Sequence, residues 1–288
     1  MSGRSGPVFD EINYWSEIKL DIIEKYAAAY SRILSSPDRA YIHHSYVDAF
    51  SGPGFARSKS TNALVLGSPL LALAVRPPFE RYYLIDLDES RASALDSVAE
   101  QALSQLPDPK PSVVVRTGNC NRVLREEVFP TLGYKEYQRA LCVLDPYGLD
   151  LDWDVIEAAG QLGTVEIFLN FPIIDMNRNA LWSRPERVSQ AAKARMTAFW
   201  GDESWAQTAY EQELTLFGDQ ARKLSNEDVA EAFRRRLVAK AGFKHVPQPI
   251  PMRNSMNATV YYLFFGAQKP VAGKIVEDIF NRYRNRRG

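Results

Sequence analysis

The sequence predicts an α/β chain of the doubly wound, Rossmann-like kind: parallel strands closed by a C-terminal antiparallel hairpin, with a helical insertion. Three observations predict it. From residue 40 onward, short β-branched or aromatic runs alternate with helical periods. Each run ends in a polar or glycine-bearing turn, the pattern of strands whose carboxyl ends face a crevice. The last strong strand, Thr259-Val260-Tyr261-Tyr262-Leu263-Phe264-Phe265, follows another extended stretch rather than a helix.

Taken in order, residues 1–10 carry Gly, Ser and Pro and read as a loose tail. Residues 11–35 set Ile12, Trp15, Ile18, Leu20, Ile22, Ile23, Tyr26 and Tyr30 at amphipathic helical spacing. That helix either packs on the following sheet or closes over a ligand. Strands are expected at 41–50, 82–86, 113–116, 140–144 and 165–170. Helices are expected at 68–75, opened by Ser-Pro, at 90–103 with Ser90 as N-cap, at 121–129 and at 153–159. Residues 175–242 are polar and read as helical. The stretches 243–250 and 258–266 read as two strands joined around Arg253-Asn254-Ser255. Five parallel strands followed by a hairpin is the order of the class I methyltransferase sheet. The expected units are an N-terminal helix at 11–38, a nucleotide-like binding core at 39–174 and 243–288, and an insertion or cap at 175–242.

Composition narrows the classes. Of 288 residues, 45% are hydrophobic and 24% charged, enough for a sizeable core. Lys+Arg and Asp+Glu are both 35, so the chain as a whole lacks the basic footprint of a non-specific nucleic-acid binder. A local basic patch stays open. Two cysteines, Cys120 and Cys142, and three histidines give no zinc-ligand spacing, so no metal is expected. So few thiols, with no signal peptide and no apolar run long enough to span a bilayer, read as a cytoplasmic protein without membrane attachment.

The strand ends carry the candidate chemistry. Asp48-Ala49-Phe50-Ser51-Gly52-Pro53-Gly54 closes the first strand with an acid and then turns on glycines that let backbone approach a ligand. Asp48, Phe50, Ser51, Gly52 and Gly54 are its candidate cofactor contacts, although an ordinary strand-to-helix turn reads the same way. The third glycine of the dinucleotide fingerprint is missing, because Phe55-Ala56-Arg57 follows. This disfavours a nicotinamide cofactor. S-adenosylmethionine (SAM) has no phosphate to place there, and its amino-acid end can use Asp48. Asp86, with the adjoining Leu87, is set to meet ribose hydroxyls, and Asp88 reads as a helix-start acid. Gly118, Asn119 and Cys120 follow the third strand. Asn119 is the choice for the adenine amino group, with a helix N-cap as the alternative, and Cys120 reads more as packing than as a nucleophile. Asp145-Pro146-Tyr147-Gly148 ends the fourth strand, where Asp145, Pro146 and Tyr147 would face the reacting methyl. Asn170, before Phe171-Pro172, either lines the substrate side or belongs to a plain strand-end turn, the reading its position favours. Arg178, Arg184, Arg187, Lys193, Arg195, Arg234, Arg235, Arg236 and the Arg282–Arg287 tail are either phosphate contacts or solvated helix faces.

These motifs in this order resemble the three-Cys-motif partner protein family. Trp15-Ser16-Glu17-Ile18-Lys19-Leu20, Asp48 to Gly54, Asp145-Pro146-Tyr147-Gly148, Asn170-Phe171-Pro172 and Tyr261 to Phe265 carry the resemblance, over residues 11 to 280. It implies a Rossmann-type SAM methyltransferase, with S-adenosylhomocysteine as product, and a protein partner bearing a three-cysteine motif. A more distant likeness is to ribosomal RNA adenine-N6 methyltransferases. In those enzymes an Asp-Pro-Pro-Tyr loop holds the target amino group and stacks on the base. Asp145 and Pro146 match that loop, whereas Tyr147 comes one position early and Gly148 stands at the aromatic position. The resemblance leaves three roles open: transfer to a nitrogen or oxygen of a nucleic-acid base, transfer to a small molecule, and a non-catalytic SAM-binding subunit.

Overall fold

The computed structural model describes residues 9–215 and 218–284. Its centre is a seven-stranded sheet. The strands are β2 (His43–Asp48), β5 (Arg81–Asp86), β6 (Ser112–Thr117), β7 (Gln138–Leu144), β8 (Val165–Phe171), β11 (Ile250–Arg253) and β12 (Thr259–Gly266). They lie in the order β11-β12-β8-β7-β2-β5-β6. The five strands from β8 to β6 are parallel, and β12 runs antiparallel to both β8 and β11. This is the class I methyltransferase order, and the expected fold class holds.

The parallel strands are apolar on both faces, so alternate side chains feed two cores. Val47, Ile85, Cys142, Leu144, Ile167, Leu169 and Phe264 point to one face. Tyr46, Leu84, Leu141, Val143, Phe168, Leu263 and Phe265 point to the other. The second face is covered by α1 (Tyr14–Leu34), α2 (Ser68–Ala74), α3 (Glu89–Ser104) and α10 (Pro270–Tyr283). The first is covered by α4 (Cys120–Val123), α5 (Trp153–Leu162), α7 (Gln190–Trp200), α8 (Ser204–Ala209) and α9 (Asn226–Ala239), with α6 (Ile173–Asn179) leading out of β8. Among the described residues no helix is long and apolar enough to cross a membrane.

Several local expectations are corrected. The cap of α3 is Asp88, whose Oδ1 accepts from the Arg91 N–H at 3.0 Å; Ser90 lies two residues inside and donates to the same oxygen. The helix expected at 121–129 is one α-turn that widens into a π-turn over Leu124–Val128. The stretch 175–242 is not helical throughout: β9 (Tyr210–Thr215) and β10 (Gly218–Lys223) pair antiparallel, with Glu211 opposite Arg222. Residues 243–249 make a single bridge, His245 to Ala267, instead of a strand, because Pro247 and Pro249 have no N–H to give a ladder. A second small sheet also went unread. It comprises β1 (Asp10–Ile12), β3 (Phe55–Ser58) and β4 (Leu64–Leu66). The tail expected at 1–10 lies outside the described residues up to residue 8, and its end is β1.

Phe233 of α9 is fully buried among Trp153, Phe171, Phe199, Trp200 and Phe264, with ring centroids 4.6 to 5.9 Å apart. That cluster ties α9 into the same core as the sheet. Phe233→Ala should cost about 3–5 kcal/mol of unfolding free energy. The measurement is a urea titration, and a change under about 0.5 kcal/mol, the level of a surface substitution, would show that α9 is peripheral.

Candidate active site

Strands β2, β5 and β6 are laid down in one direction from the centre of the sheet, and β7 and β8 in the other. The switch point therefore lies between β2 and β7, where the connecting loops diverge and leave a crevice at the carboxyl ends. A cavity of about 340 Å³ occupies it, lined by residues 50–56 of the glycine loop, Asp145–Tyr147, Asn170, Tyr261 and the start of α1. Gly52 and Gly54 adopt φ of +62° and +89°, which other residues reach only with strain. Ser51 locks the loop to the neighbouring strand: its hydroxyl donates to Asp48 O and accepts from Ile85 N, at 3.0 and 2.9 Å. Asp86 is buried at the tip of β5, where its carboxylate accepts from the N–H groups of Gly52 and Asp88 at 2.8 and 2.9 Å.

At the ends of β7 and β8 stands a three-residue cluster. Asp145 Oδ2 accepts from the Lys19 ammonium, and Oδ1 accepts from Asn170 Nδ2 at 2.8 Å. Asn170 Nδ2 also donates to Pro146 O at 3.3 Å. The Pro146 carbonyl has no proton to give, so the amide nitrogen faces it. Asn170 Oδ1 is then left buried and without a partner among the described residues. An unpaired buried acceptor costs about 1–3 kcal/mol, which points to a donor arriving with a ligand. Lys19 is itself buried, with its ammonium 5.5 Å from the centre of the Tyr261 ring, and Tyr261 in turn donates to Trp15 O at 3.1 Å. Sequence reasoning quoted Lys19 within a motif without giving it a role. The signal was present: Lys19 falls on the same stripe of α1 as Ile22, Ile23, Tyr26 and Tyr30, where a solvated lysine does not belong.

A further group missed from the sequence covers the glycine loop. Asp10 of β1 pairs with Arg91 of α3, and the Tyr147 hydroxyl joins both, accepting from Arg91 Nη2 at 2.9 Å and donating to Asp10 Oδ2 at 3.2 Å. A Cβ at Gly52 would lie 3.1 Å from Asp10 Oδ2. Arg91 Nε is buried without a partner among the described residues, a second open hydrogen-bonding position beside the crevice.

The other expected contacts are spread along the strand ends. Asp48 is fully buried beneath the loop rather than on the crevice wall, accepting from Phe50 N and the Tyr46 hydroxyl, both at 3.3 Å. Leu87 is exposed, and Asn119 caps α4 through a 2.8 Å bond from Asn121 N. Cys120 is buried, and burial pushes its thiol up to about 12, as packing rather than nucleophilic chemistry requires. Asn121, which was not singled out, bonds Asp150 O and Asp152 N and so ties the loop after β7 to the end of β6.

The basic residues divide. Arg234 and Arg235 pair with Glu231, and Arg236 pairs with Asp202 at 2.7 Å while stacking on Trp153, so these three are structural. Arg284 donates to the carbonyls of Gln248 and Pro249, and residues 285–287 lie outside the described residues. Arg195 pairs with Asp150 at 3.3 Å. Arg178, Arg184 and Arg187 are exposed and, with Lys193, make no ion pair among the described residues. Arg184 and Arg187 line a groove with the exposed Trp182 and with Lys223, on the segment that leaves β8 just past Asn170.

Fold and site together define a Rossmann-like chain of class I methyltransferase topology with a polar cluster at its switch point. No family model matches the chain, and no curated protein matches it, so the likeness to the three-Cys-motif partner family rests on the quoted motifs alone. Similar solved structures include a protein from Legionella pneumophila (14% identity, 92% of each chain, TM-score 0.43). Another is Trm1 from Pyrococcus horikoshii in complex with S-adenosyl-L-methionine (12% identity, 97% of this chain and 60% of that one, TM-score 0.44). A third is a SAM-dependent methyltransferase from Leishmania major (9% identity, 87% and 72%, TM-score 0.37). The fold assignment rests on the strand order and directions of the chain itself.

Desolvation raises Asp48 from the ordinary 3.8 to about 6, against the hydrogen bonds that hold its charged form. Between about pH 4 and 6 the folded state therefore keeps a proton that the unfolded chain has lost, and stability falls as pH rises through that window. Asp48→Asn removes the titration. Its melting temperature relative to wild type should climb from pH 4 to pH 6 and level off above; parallel pH profiles for the two proteins would refute the assignment.

Proposed function

We propose that this protein is a cytoplasmic SAM-dependent methyltransferase acting on an acceptor that brings an N–H or O–H donor, with the exposed nitrogen of a nucleic-acid base as the favoured target. The observation that carries it is the unpaired Asn170 Oδ1 beside Asp145 at the switch-point crevice. The residues present fit the cofactor. Asp86 is a buried acid at the tip of β5 that holds the glycine loop through the Gly52 N–H, that loop offers backbone at close range, and Arg91 Nε is a buried donor without a partner among the described residues. When bound, SAM supplies a methyl group already activated by its sulfonium, so the protein's task is alignment and a polar setting.

Each residue then has a defined part. Asp86 would hold the ribose hydroxyls, and the loop at residues 51–54 would take the amino-acid end. Asn170 Oδ1 accepts one hydrogen of the incoming donor. Asp145 Oδ1, now held by Asn170, stands ready to accept the proton that the acceptor gives up. Lys19 fixes the Asp145 carboxylate and balances its charge. Tyr147 is largely exposed at the mouth, able to meet a planar acceptor. The nucleic-acid preference draws support from Arg178, Arg184, Arg187 and Lys193, cations without ion pairs among the described residues, beside an exposed tryptophan on the segment next to Asn170. Phosphates and an unstacked base suit that pairing.

Calorimetry with SAM, S-adenosylhomocysteine and NADH tests the cofactor. SAM and its product should bind wild type and weaken at least about tenfold in Asp86→Ala, the size of one lost hydrogen bond to a charged group. A preference for NADH, or no binding of SAM, would overturn the reading. Asp145→Ala should bind SAM nearly as wild type yet lose methyl transfer by about 10²–10⁴-fold. Undiminished transfer would remove Asp145 from the chemistry. Transfer to no acceptor, together with stable association with a three-cysteine partner, would instead favour a non-catalytic SAM-binding subunit. With single-stranded RNA as ligand, Arg184→Ala with Arg187→Ala should flatten the salt dependence of binding by about one unit of slope per residue. An unchanged slope would remove the patch from substrate binding.

A further inference from the structure

A second cavity, larger than the crevice, lies at the opposite end of the sheet. It measures about 600 Å³ and shares no lining residue with the crevice. It opens at the amino ends of β7 and β8, between α1 and the first turn of α10. On its floor is Glu166, the second residue of β8. Six of the strand's seven positions are filled by apolar side chains or by Asn170 at the tip. Glu166 instead carries a carboxylate into the interior. Its one hydrogen bond among the described residues comes from the Tyr26 hydroxyl to Oε2 at 2.5 Å, and burial pushes it up to about 7. The Tyr26 hydroxyl engages Oε2, and the carboxylate also lines the cavity.

The surroundings have a matching asymmetry. Arg39, Arg139, Lys244 and Lys269 line the cavity, and Glu166 is its one acidic lining residue. Arg139, Lys244 and Lys269 make no ion pair among the described residues, and Arg39 has only the exposed Asp38 at 3.8 Å. The 14-residue helix α10 presents its first turn to the same wall, adding the positive end of its dipole. Ile33, Leu34, Ile42 and Ile275 supply apolar walls. A ligand that satisfies all of this is flat and apolar in its body, carries hydrogen-bond donors at one end and is anionic at the other. The volume lies within the range of small-molecule sites.

We propose that this cavity binds a guanine nucleotide, with the base between the apolar walls, its N1–H and 2-amino group donating to the Glu166 carboxylate, and the phosphate among Arg139, Lys244 and Lys269 at the mouth. Guanine is the nucleobase that sets two N–H donors side by side on one edge. Adenine and cytosine set a ring acceptor beside their amino group, which would face a carboxylate lone pair. The site is separate from the crevice and does not depend on the methyl-transfer reading.

The test is calorimetry of GMP, AMP and inorganic phosphate on the full chain as wild type, Glu166→Gln, Lys269→Glu and Asp86→Ala, with melting curves to establish that each is folded. GMP should bind wild type and Asp86→Ala alike, weaken at least tenfold in Glu166→Gln and Lys269→Glu, and exceed AMP and phosphate. Lys269 is exposed, so its reversal tests the site even if Glu166→Gln fails to fold. Absence of GMP binding, or AMP favoured over GMP, would overturn the proposal. So would phosphate binding as tightly as GMP, which would make the rim a simple anion site. GMP binding lost in Asp86→Ala but kept in Glu166→Gln would move the nucleotide to the crevice and overturn it as well. Because Asp86→Ala reports on the crevice alone, failure here is distinguishable from failure of the methyltransferase reading.

Discussion

The buried contact between Lys19 and Asp145 sets the terms for the rest of the site. An ammonium removed from water costs several kcal/mol unless a counter-charge and hydrogen bonds meet it. The first helix can therefore settle on the sheet only in the register that delivers Lys19 to the end of β7. That register also brings Trp15 O to the Tyr261 hydroxyl and, two turns along the same stripe, Tyr26 to Glu166. Asp145, held on one side by Lys19, is held on the other by Asn170, and this second bond is what leaves the Asn170 oxygen facing the crevice without a partner.

One helix and one strand thus reach both ends of the molecule. Alternation along β8 sends Glu166, Phe168 and Asn170 to the face covered by α1, while Val165, Ile167, Leu169 and Phe171 pack against the other helices. Glu166 and Asn170 mark the two ends of that face, one over a deep cavity ringed by cations and the other over the switch-point crevice. Polar residues at these two positions of a central strand are departures from a pattern that is otherwise apolar, and local rules are broken most often where a site is built.

The long segment between β8 and β11 combines two tasks. Its later part is core: Phe233 sits among five aromatic rings, and the three consecutive arginines of α9 are consumed by Glu231, Asp202 and Trp153. Its earlier part sends Met196, Phe199 and Trp200 into the core and also carries, on the surface, Trp182 and cations that make no ion pair among the described residues. Charge counts alone treat the two sets as equivalent. Pairing separates them, because a cation already bonded to a carboxylate has little left to offer a phosphate.

The sheet is legible from local pattern alone. Short β-branched or aromatic runs separated by helical periods sufficed to predict five parallel strands and a closing antiparallel pair, and strand-end acids and glycines marked which edge would be used. These signals are local, so they survive without knowledge of distant partners. What only the tertiary structure decided is non-local. The N-cap at Asp88 was misread from the sequence by two residues because two neighbouring polar side chains compete for one role. The β9–β10 pair was read as helix because each strand exists only by virtue of the other. Lys19 gained its role from a residue 126 positions away, and Asp10 from Arg91 81 positions away. Asp48, read as a crevice residue, lies instead beneath the loop, since which side of a strand end faces a cavity depends on how the loops above it close. Propensity and period act between neighbours along the chain, whereas a buried charge finds its partner only when the chain has folded.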